Sequence, residues 1–234
     1  MKMPKKKTLG PHRPPGAKKV FIVEDHPVFR EGLANLVREE TDLKLSGTAA
    51  DAFAARRDIA RLKPDLVLVD ISMPGQSGLE LIKAIRAKDT KLKILVVSMH
   101  DEALYANRVL RLGADGYIMK KEEPSEILNA IRDILDGHIY LSEAVLASTD
   151  KSAVSAQPPP KLRPLDLLTD TELEILELLG MGKTDEEITA QLHSSDSQVK
   201  AAREAIKSKL KLRNDNTLIR FAVCWVETGS TEPA

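Results

Sequence analysis

From residue 19 onward the chain alternates between two hydrophobic rhythms. Short apolar, β-branched runs occur at 19–24, 43–48, 65–70, 92–98 and 115–119. Between them lie longer segments, near 27–39, 51–62, 78–87, 102–112 and 124–136, where apolar residues return every three or four positions. The segment at 78–87 shows that period well, with Leu79, Ile82 and Ile85 on one side. A short unbroken apolar run suits a strand buried on both faces, and a three-to-four spacing suits a helix with one apolar face. Strand then helix, repeated along the chain, predicts a parallel sheet with helices on both faces.

Right-handed crossovers leave few topologies for such a sheet, and a flavodoxin-like, doubly wound (βα)5 order is the expected one. The rhythm breaks at 147–164, a stretch of Ser, Ala, Gln, Pro158-Pro159-Pro160, Lys, Arg and Pro164. Its prolines favour extended geometry at ~3.1 Å per residue, so it reads as a partly stiff linker. Beyond it come four helical segments and no strand, opening near Thr169-Asp170, Thr184-Asp185, Ser195-Asp196 and Asn214-Asp215. Each start offers a good N-cap residue, and Thr169 to Glu172 has the spacing of a capping box. The expected division is a disordered basic tail at 1–18, an α/β domain at 19–140, a linker at 141–164, a small all-α four-helix domain at 165–228 and a tail at 229–234.

Polar residues stand where the predicted strands stop. Glu24-Asp25 follow Val20–Val23, Asp70 follows Leu66–Val69, Ser98 follows Ile94–Val97, and Lys120 follows Tyr117–Met119. In an open parallel sheet the carboxyl ends of the strands line the ligand crevice, so the fold would gather these groups. Three carboxylates, a hydroxyl and an ammonium suit a divalent cation and a phosphoryl group. Mg²⁺ prefers oxygen ligands, which Glu24, Asp25, Asp70 and the Ser72 carbonyl could supply. Taken singly, each has a plainer role: Asp25 as a helix cap, Asp70 as a turn residue, Ser98 and Lys120 as loop residues. Their convergence at successive strand ends favours the site. His26 and His100 are expected to flank it rather than ligate, since hard cations prefer oxygen.

Composition narrows the picture. The formal charge is zero, but the first 19 residues hold seven Lys/Arg and no acid, whereas 165–234 hold 8 basic against 13 acidic residues. That acidic balance argues against strong non-specific nucleic-acid affinity in the C-terminal domain. The one cysteine, Cys224, excludes an intrachain disulfide and reads as a packed thiol. No apolar run approaches the ~18 residues of a membrane span, and the basic start lacks a signal-peptide core, so a cytoplasmic protein without membrane contact is expected. There is no GxGxxG and no GxxxxGK[ST], which removes dinucleotide and P-loop readings.

The motifs Glu24-Asp25-His26-Pro27, Asp70-Ile71-Ser72-Met73-Pro74-Gly75, Val97-Ser98-Met99-His100 and Gly113-Ala114-Asp115-Gly116-Tyr117-Ile118-Met119-Lys120 resemble a response-regulator receiver domain of the NarL/FixJ branch. The resemblance implies that Asp70 accepts phosphoryl from a sensor histidine kinase with Mg²⁺, assisted by Ser98 and Lys120. It also implies that Tyr117 turns inward as a switch, although a half-buried tyrosine needs no such role. A haloacid-dehalogenase-like phosphatase would want a second Asp two residues after the nucleophile, and position 72 is serine. No independent enzymatic turnover is expected.

Residues 167–227 resemble a LuxR-type helix-turn-helix domain, through Leu168-Thr169, Glu172, Ile175-Leu176, Thr184, Glu187-Ile188, Ser195 and Val199-Lys200. In such a domain the third helix, about 195–211, enters the DNA major groove. Lys200, Arg203, Lys207 and Lys211 form a basic ridge beside the apolar Val199, Ile206 and Leu210. The positions expected to meet double-stranded DNA are Lys200, Ala201, Arg203, Glu204 and Lys207. Glu204 departs from the usual basic residue: it could accept from cytosine N4, and it repels phosphate. The last helix implies a homodimer on phosphorylation, with core packing as the plainer reading. Two functions follow: a phosphorylation-controlled transcription regulator, or a phospho-receiver whose degenerate helix-turn-helix binds a protein.

Overall fold

The computed structural model describes residues 16–73, 76–142, 145, 164–192 and 194–228. Most of the basic tail, Pro74-Gly75, nearly all of the linker with Pro158–Pro160, and the tail at 229–234 lie outside the described residues.

The strands are β1 (Lys18–Val23), β2 (Leu43–Ala49), β3 (Leu66–Val69), β4 (Lys93–Ser98) and β5 (Gly116–Met119). They are joined by helices α1 (Pro27–Arg38), α2 (Ala52–Leu62), α3 (Gly78–Arg86) and α4 (Glu102–Arg111), and followed by α5 (Pro124–Leu135). All strand pairs are parallel, in the order β2-β1-β3-β4-β5. That is the flavodoxin-like order expected from the alternation.

Strand alternation sorts the side chains to two cores. Val20, Ile22, Leu66, Leu68, Leu95 and Val97 face α1 and α5, where Leu33, Val37, Ile127 and Ile131 wait. Phe21, Val23, Val67, Val69, Ile94 and Val96 face α2, α3 and α4. Between Val20 and Phe21 the β1–β2 register slips by one residue, and the unpaired Ser46 donates its hydroxyl to the Val20 carbonyl at 2.9 Å.

The C-terminal helices are α6 (Asp170–Gly180), α7 (Asp185–Gln191), α8 (Asp196–Leu210) and α9 (Asp215–Thr228), after a short 3-10 turn at Pro164–Leu167. Capping boxes start α6 at Thr169/Glu172, α7 at Thr184/Glu187 and α8 at Ser195/Gln198. Leu173, Leu176, Ile188, Val199, Ile206 and Trp225 fill the centre of this bundle. The apolar cluster on the α4 side of the sheet runs on without a break into these helices. Hence the second domain is seated against the face that carries β4 and α4.

Candidate functional site

Three backbone ties set the floor of the site. Asp70 N donates to the Val23 carbonyl at 2.9 Å, Glu24 N to the Ala49 carbonyl at 3.1 Å, and Lys120 N to the Ser98 carbonyl at 2.8 Å. Parallel pairing thus holds the ends of β1, β3, β4 and β5 in one row. Gly78, the first residue of α3, lies against the loop after Asp70, where a Cβ would come within 1.9 Å of the Asp70 carbonyl oxygen. Only glycine lets α3 start this close to the pocket.

Lys120 is the centre of the charge arrangement. Its Nζ donates to Asp70 Oδ2 and to Glu24 Oε1, both at 2.9 Å, and sits 4.8 Å from the Phe29 ring centroid. Glu24 Oε2 is 2.7 Å from the same Nζ, an ion-pair contact outside hydrogen-bonding geometry, so that oxygen has no donor. Asp25 Oδ1 is likewise without one, 2.9 Å from His26 Nδ1 but misaligned. Arg30 clamps the turn, its Nη1 donating to the Glu24 carbonyl at 2.6 Å and the Asp25 carbonyl at 3.1 Å.

Burial, the largest influence, pushes the Asp70 carboxyl up to about 6; Lys120 opposes this, and Glu24 and Asp25 add to it. Burial lowers the Lys120 ammonium, but Asp70 and Glu24 outweigh that, so its net shift is upward. Oxygens of Glu24, Asp25 and Asp70 lie within 4.8 Å of one another, together with a His26 nitrogen. Two buried carboxylate oxygens without donors, in an oxygen-rich cluster, fit a hard divalent cation. The cluster that the sequence predicts as Glu24, Asp25, Asp70 and Lys120 is therefore assembled.

Ser98 is completely buried, and its hydroxyl accepts from His100 N at 3.3 Å. Tyr117 is also completely buried, its hydroxyl donating to the His100 carbonyl at 2.8 Å, so the ring already points inward. The Ser72 hydroxyl meets His100 Nε2 at 2.6 Å. His100 therefore flanks the pocket, as expected, and its ring ties the loop after β4 to Ser72.

Side chains of α6 converge here too, which no local pattern in the sequence shows. His100 Nδ1 lies 2.6 Å from Glu177 Oε2 of α6, to which the Tyr105 hydroxyl also donates at 2.9 Å. Ser72 donates to Glu174 Oε1 at 3.5 Å, and Arg108 Nη2 donates to Asp170 Oδ1 at 2.6 Å. Asp170, Glu174 and Glu177 are all buried. Burial pushes the Glu174 carboxyl up to about 7, against the His100 charge. Their spacing of four and three was the available signal, one acidic stripe along α6. In isolation such a stripe reads as a solvated face.

On α8 the expected DNA-facing residues are placed but not unpaired. Lys200 Nζ bonds Asp196 at 2.7 Å, Arg203 bonds Asp185 at 2.5 Å, and Lys207 bonds Glu204 at 2.7 Å and contacts Asp215 at 3.0 Å. Ala201 and Glu204 are exposed, whereas Val199 and Ile206 are buried as expected. In α9, Leu218, Ala222 and Trp225 are buried in the bundle core, Cys224 is half-buried, and Ile219 is exposed.

Comparison with known proteins agrees with this geometry. Residues 20–132 match the response regulator receiver domain, and residues 166–222 match the bacterial regulatory proteins of the luxR family. The oxygen regulatory protein NreC of Staphylococcus aureus is 34% identical over 209 residues, covering 88% of this chain and 96% of that protein. A LuxR-family two-component response regulator from Aurantimonas sp. SI85-9A1 superposes with a TM-score of 0.55 at 31% identity, over 60% of this chain and 100% of that one. RcsB from Salmonella typhimurium, 24% identical, superposes with a TM-score of 0.60 over 89% of this chain and 98% of that one, and bears on the fold alone. The protein belongs to the two-component response regulators of the NarL/FixJ type, with a receiver domain followed by a LuxR-type helix-turn-helix domain. Among the described residues, no helix is long and apolar enough to cross a membrane.

Proposed function

We propose that Asp70 takes a phosphoryl group from the phosphohistidine of a sensor histidine kinase, and that the C-terminal domain then regulates transcription by binding double-stranded DNA. The observation that carries the reading is a buried Asp70 paired to Lys120 beside two carboxylates with donor-less oxygens. An Asp70 oxygen attacks phosphorus, the P–N bond breaks, and its electron pair stays on the imidazole nitrogen as the acyl phosphate forms. Lys120 offsets charge on the transferring oxygens. Glu24, Asp25, Asp70 and the Ser72 carbonyl are the residues that would hold Mg²⁺, which supplies further neutralisation of that charge. Ser98 and Tyr117, both buried beside the pocket, serve as the responding pair.

With Mg²⁺ and acetyl phosphate, intact-mass measurement should find one added phosphoryl group on the wild type and none on Asp70→Asn. Label persisting in Asp70→Asn would refute the assignment.

A second reading, in which the helix-turn-helix domain binds a protein rather than DNA, is favoured by one observation. Lys200, Arg203 and Lys207 each face a carboxylate of their own domain. A salt titration with generic duplex separates the two: DNA binding gives an affinity that falls with log salt concentration, with a slope of about 0.9 per phosphate neutralised, and protein binding gives no complex. The domain limits 19–140 and 165–228, and pairing of two copies through α9 upon phosphorylation, belong to the same proposal. Such pairing would set two α8 helices about one DNA turn apart.

A further inference from the structure

The turn between β1 and α1 carries two of the three pocket acids, and most of its polar atoms are already committed. Glu24 N donates to the Ala49 carbonyl, and Glu24 Oε1 accepts from Lys120 Nζ at 2.9 Å and from His26 N at 3.1 Å. The His26 carbonyl accepts from Arg30 N at 2.9 Å, which opens the α1 ladder. The carbonyls of Glu24 and Asp25 lie ahead of that ladder, and one group takes both: Arg30 Nη1, at 2.6 Å and 3.1 Å. What the turn leaves without a donor is Glu24 Oε2 and Asp25 Oδ1. The helix cap does not make that selection. His26 stands at the N-cap of α1 without a side-chain hydrogen bond, and Pro27 follows with no N–H to give. The backbone of Glu24-Asp25 is held instead by a half-buried guanidinium one turn into α1.

We propose that Arg30 is a positioning residue for the divalent cation: by occupying two successive carbonyls it fixes the backbone from which the Glu24 and Asp25 carboxylates project, and so sets the affinity of the site. The inference rests on Glu24, Asp25 and Asp70 as the residues that hold the cation. Two effects of Arg30 oppose each other. Its positive charge stands near a cation site, and by charge alone its removal would strengthen cation binding. The clamp acts in the other sense. Without Nη1 both carbonyls lose a donor, and the Glu24-Asp25 peptide is free to rotate toward water, carrying both carboxylates with it. A single charge on a partly solvated side chain is worth about five-fold at most. Groups behind the ligands that orient them matter by about 10- to 100-fold in metal affinity. The clamp therefore outweighs the charge, and the sign of the change tells the two apart.

Calorimetric titration of the full chain with MgCl2, without any phosphodonor, gives the Kd for Mg²⁺. The rate of phosphorylation by acetyl phosphate, followed against Mg²⁺ concentration, gives a half-saturating concentration and a plateau. Arg30→Met keeps the length of the stem and removes both donor and charge. It should raise the Kd about 10- to 100-fold and the half-saturating concentration by the same factor, with the plateau kept. Arg30→Lys, whose ammonium can again donate to the carbonyls, should recover most of that loss. Thermal denaturation in EDTA shows whether each variant folds; a merely structural role would lower that midpoint and leave the Kd of the folded chain alone. Should Arg30→Met fail to fold, Arg30→Gln, with an amide donor on a shorter stem, is measured in its place with the same expected rise. A Kd for the variant equal to or below that of wild type overturns the proposal and leaves the three acids as the holders of the cation. A plateau that falls at an unchanged half-saturating concentration overturns it too. A wild type that binds no Mg²⁺ overturns both the proposal and the cation site on which it rests.

Discussion

Individual residues here often hold two roles, and Glu172 is the clearest case. Its carboxylate accepts from Thr169 N at 2.6 Å, completing the first capping box, and from Lys209 Nζ at 2.6 Å and 2.8 Å, tying α6 to α8. Burial raises its pKa, but Lys209 and the Thr169 N–H outweigh that and hold it below the usual carboxylate range. A depressed folded-state pKa gives stability that is complete above the unfolded value, ~4.3, and lost as pH falls through the folded value. Glu172→Gln should therefore cost about 1–2 kcal/mol at pH 7, and the gap from wild type should close below about pH 4. Urea denaturation at pH 7, 5 and 3 measures both; a gap unchanged by acid would show that the charge is not what stabilises. The capping role was legible in the Thr-Asp-Thr-Glu spelling. The tie to Lys209 was not, because nothing local states which face of α6 meets α8.

Among elements, the five strands and five receiver helices fall within about two residues of their expected limits. Their period is repeated enough to be unambiguous, and Asp51, Ser77, Thr169, Thr184 and Ser195 cap helices with their own side chains. What the pattern left open was how closely elements approach. At Gly180, where α6 ends, a Cβ would stand 2.5 Å from the Ala222 carbonyl oxygen and 2.5 Å from Val226 Cγ2 of α9. Gly180→Ala should force α6 and α9 apart at a cost of roughly 1–3 kcal/mol, offset by at most ~1 kcal/mol of helix preference. A lowered midpoint in thermal denaturation checks this, and a raised one would mean α9 is not held as close as described. Likewise the α8 ridge was visible as a spacing of cations, but its pairing with Asp185 and Asp215 depends on where α7 and α9 lie.

For the whole molecule, charge is arranged to cancel locally, and that shapes what the protein meets. If DNA is the target, each cation on α8 must first leave a carboxylate of its own domain, which restrains non-specific binding. Asp196→Asn, which frees Lys200, should then raise affinity for generic duplex and steepen the salt slope by about one; an unaltered slope would show that Lys200 does not reach phosphate. Read alone, the sequence determined the element order, the sheet and the acid–lysine crevice at its edge. Those follow from hydrophobic period, right-handed crossovers and the rule that parallel strands end on one side, all of which are written along the chain. The acids of α6 were decided by tertiary structure alone. Asp170, Glu174 and Glu177 are as polar on paper as any solvated stripe, and only docking onto Arg108, Ser72 and His100 makes them buried partners of the pocket. The physical reason is that a charge's partner and solvation are properties of the assembled surfaces, whereas a helix's apolar period is a property of the helix itself.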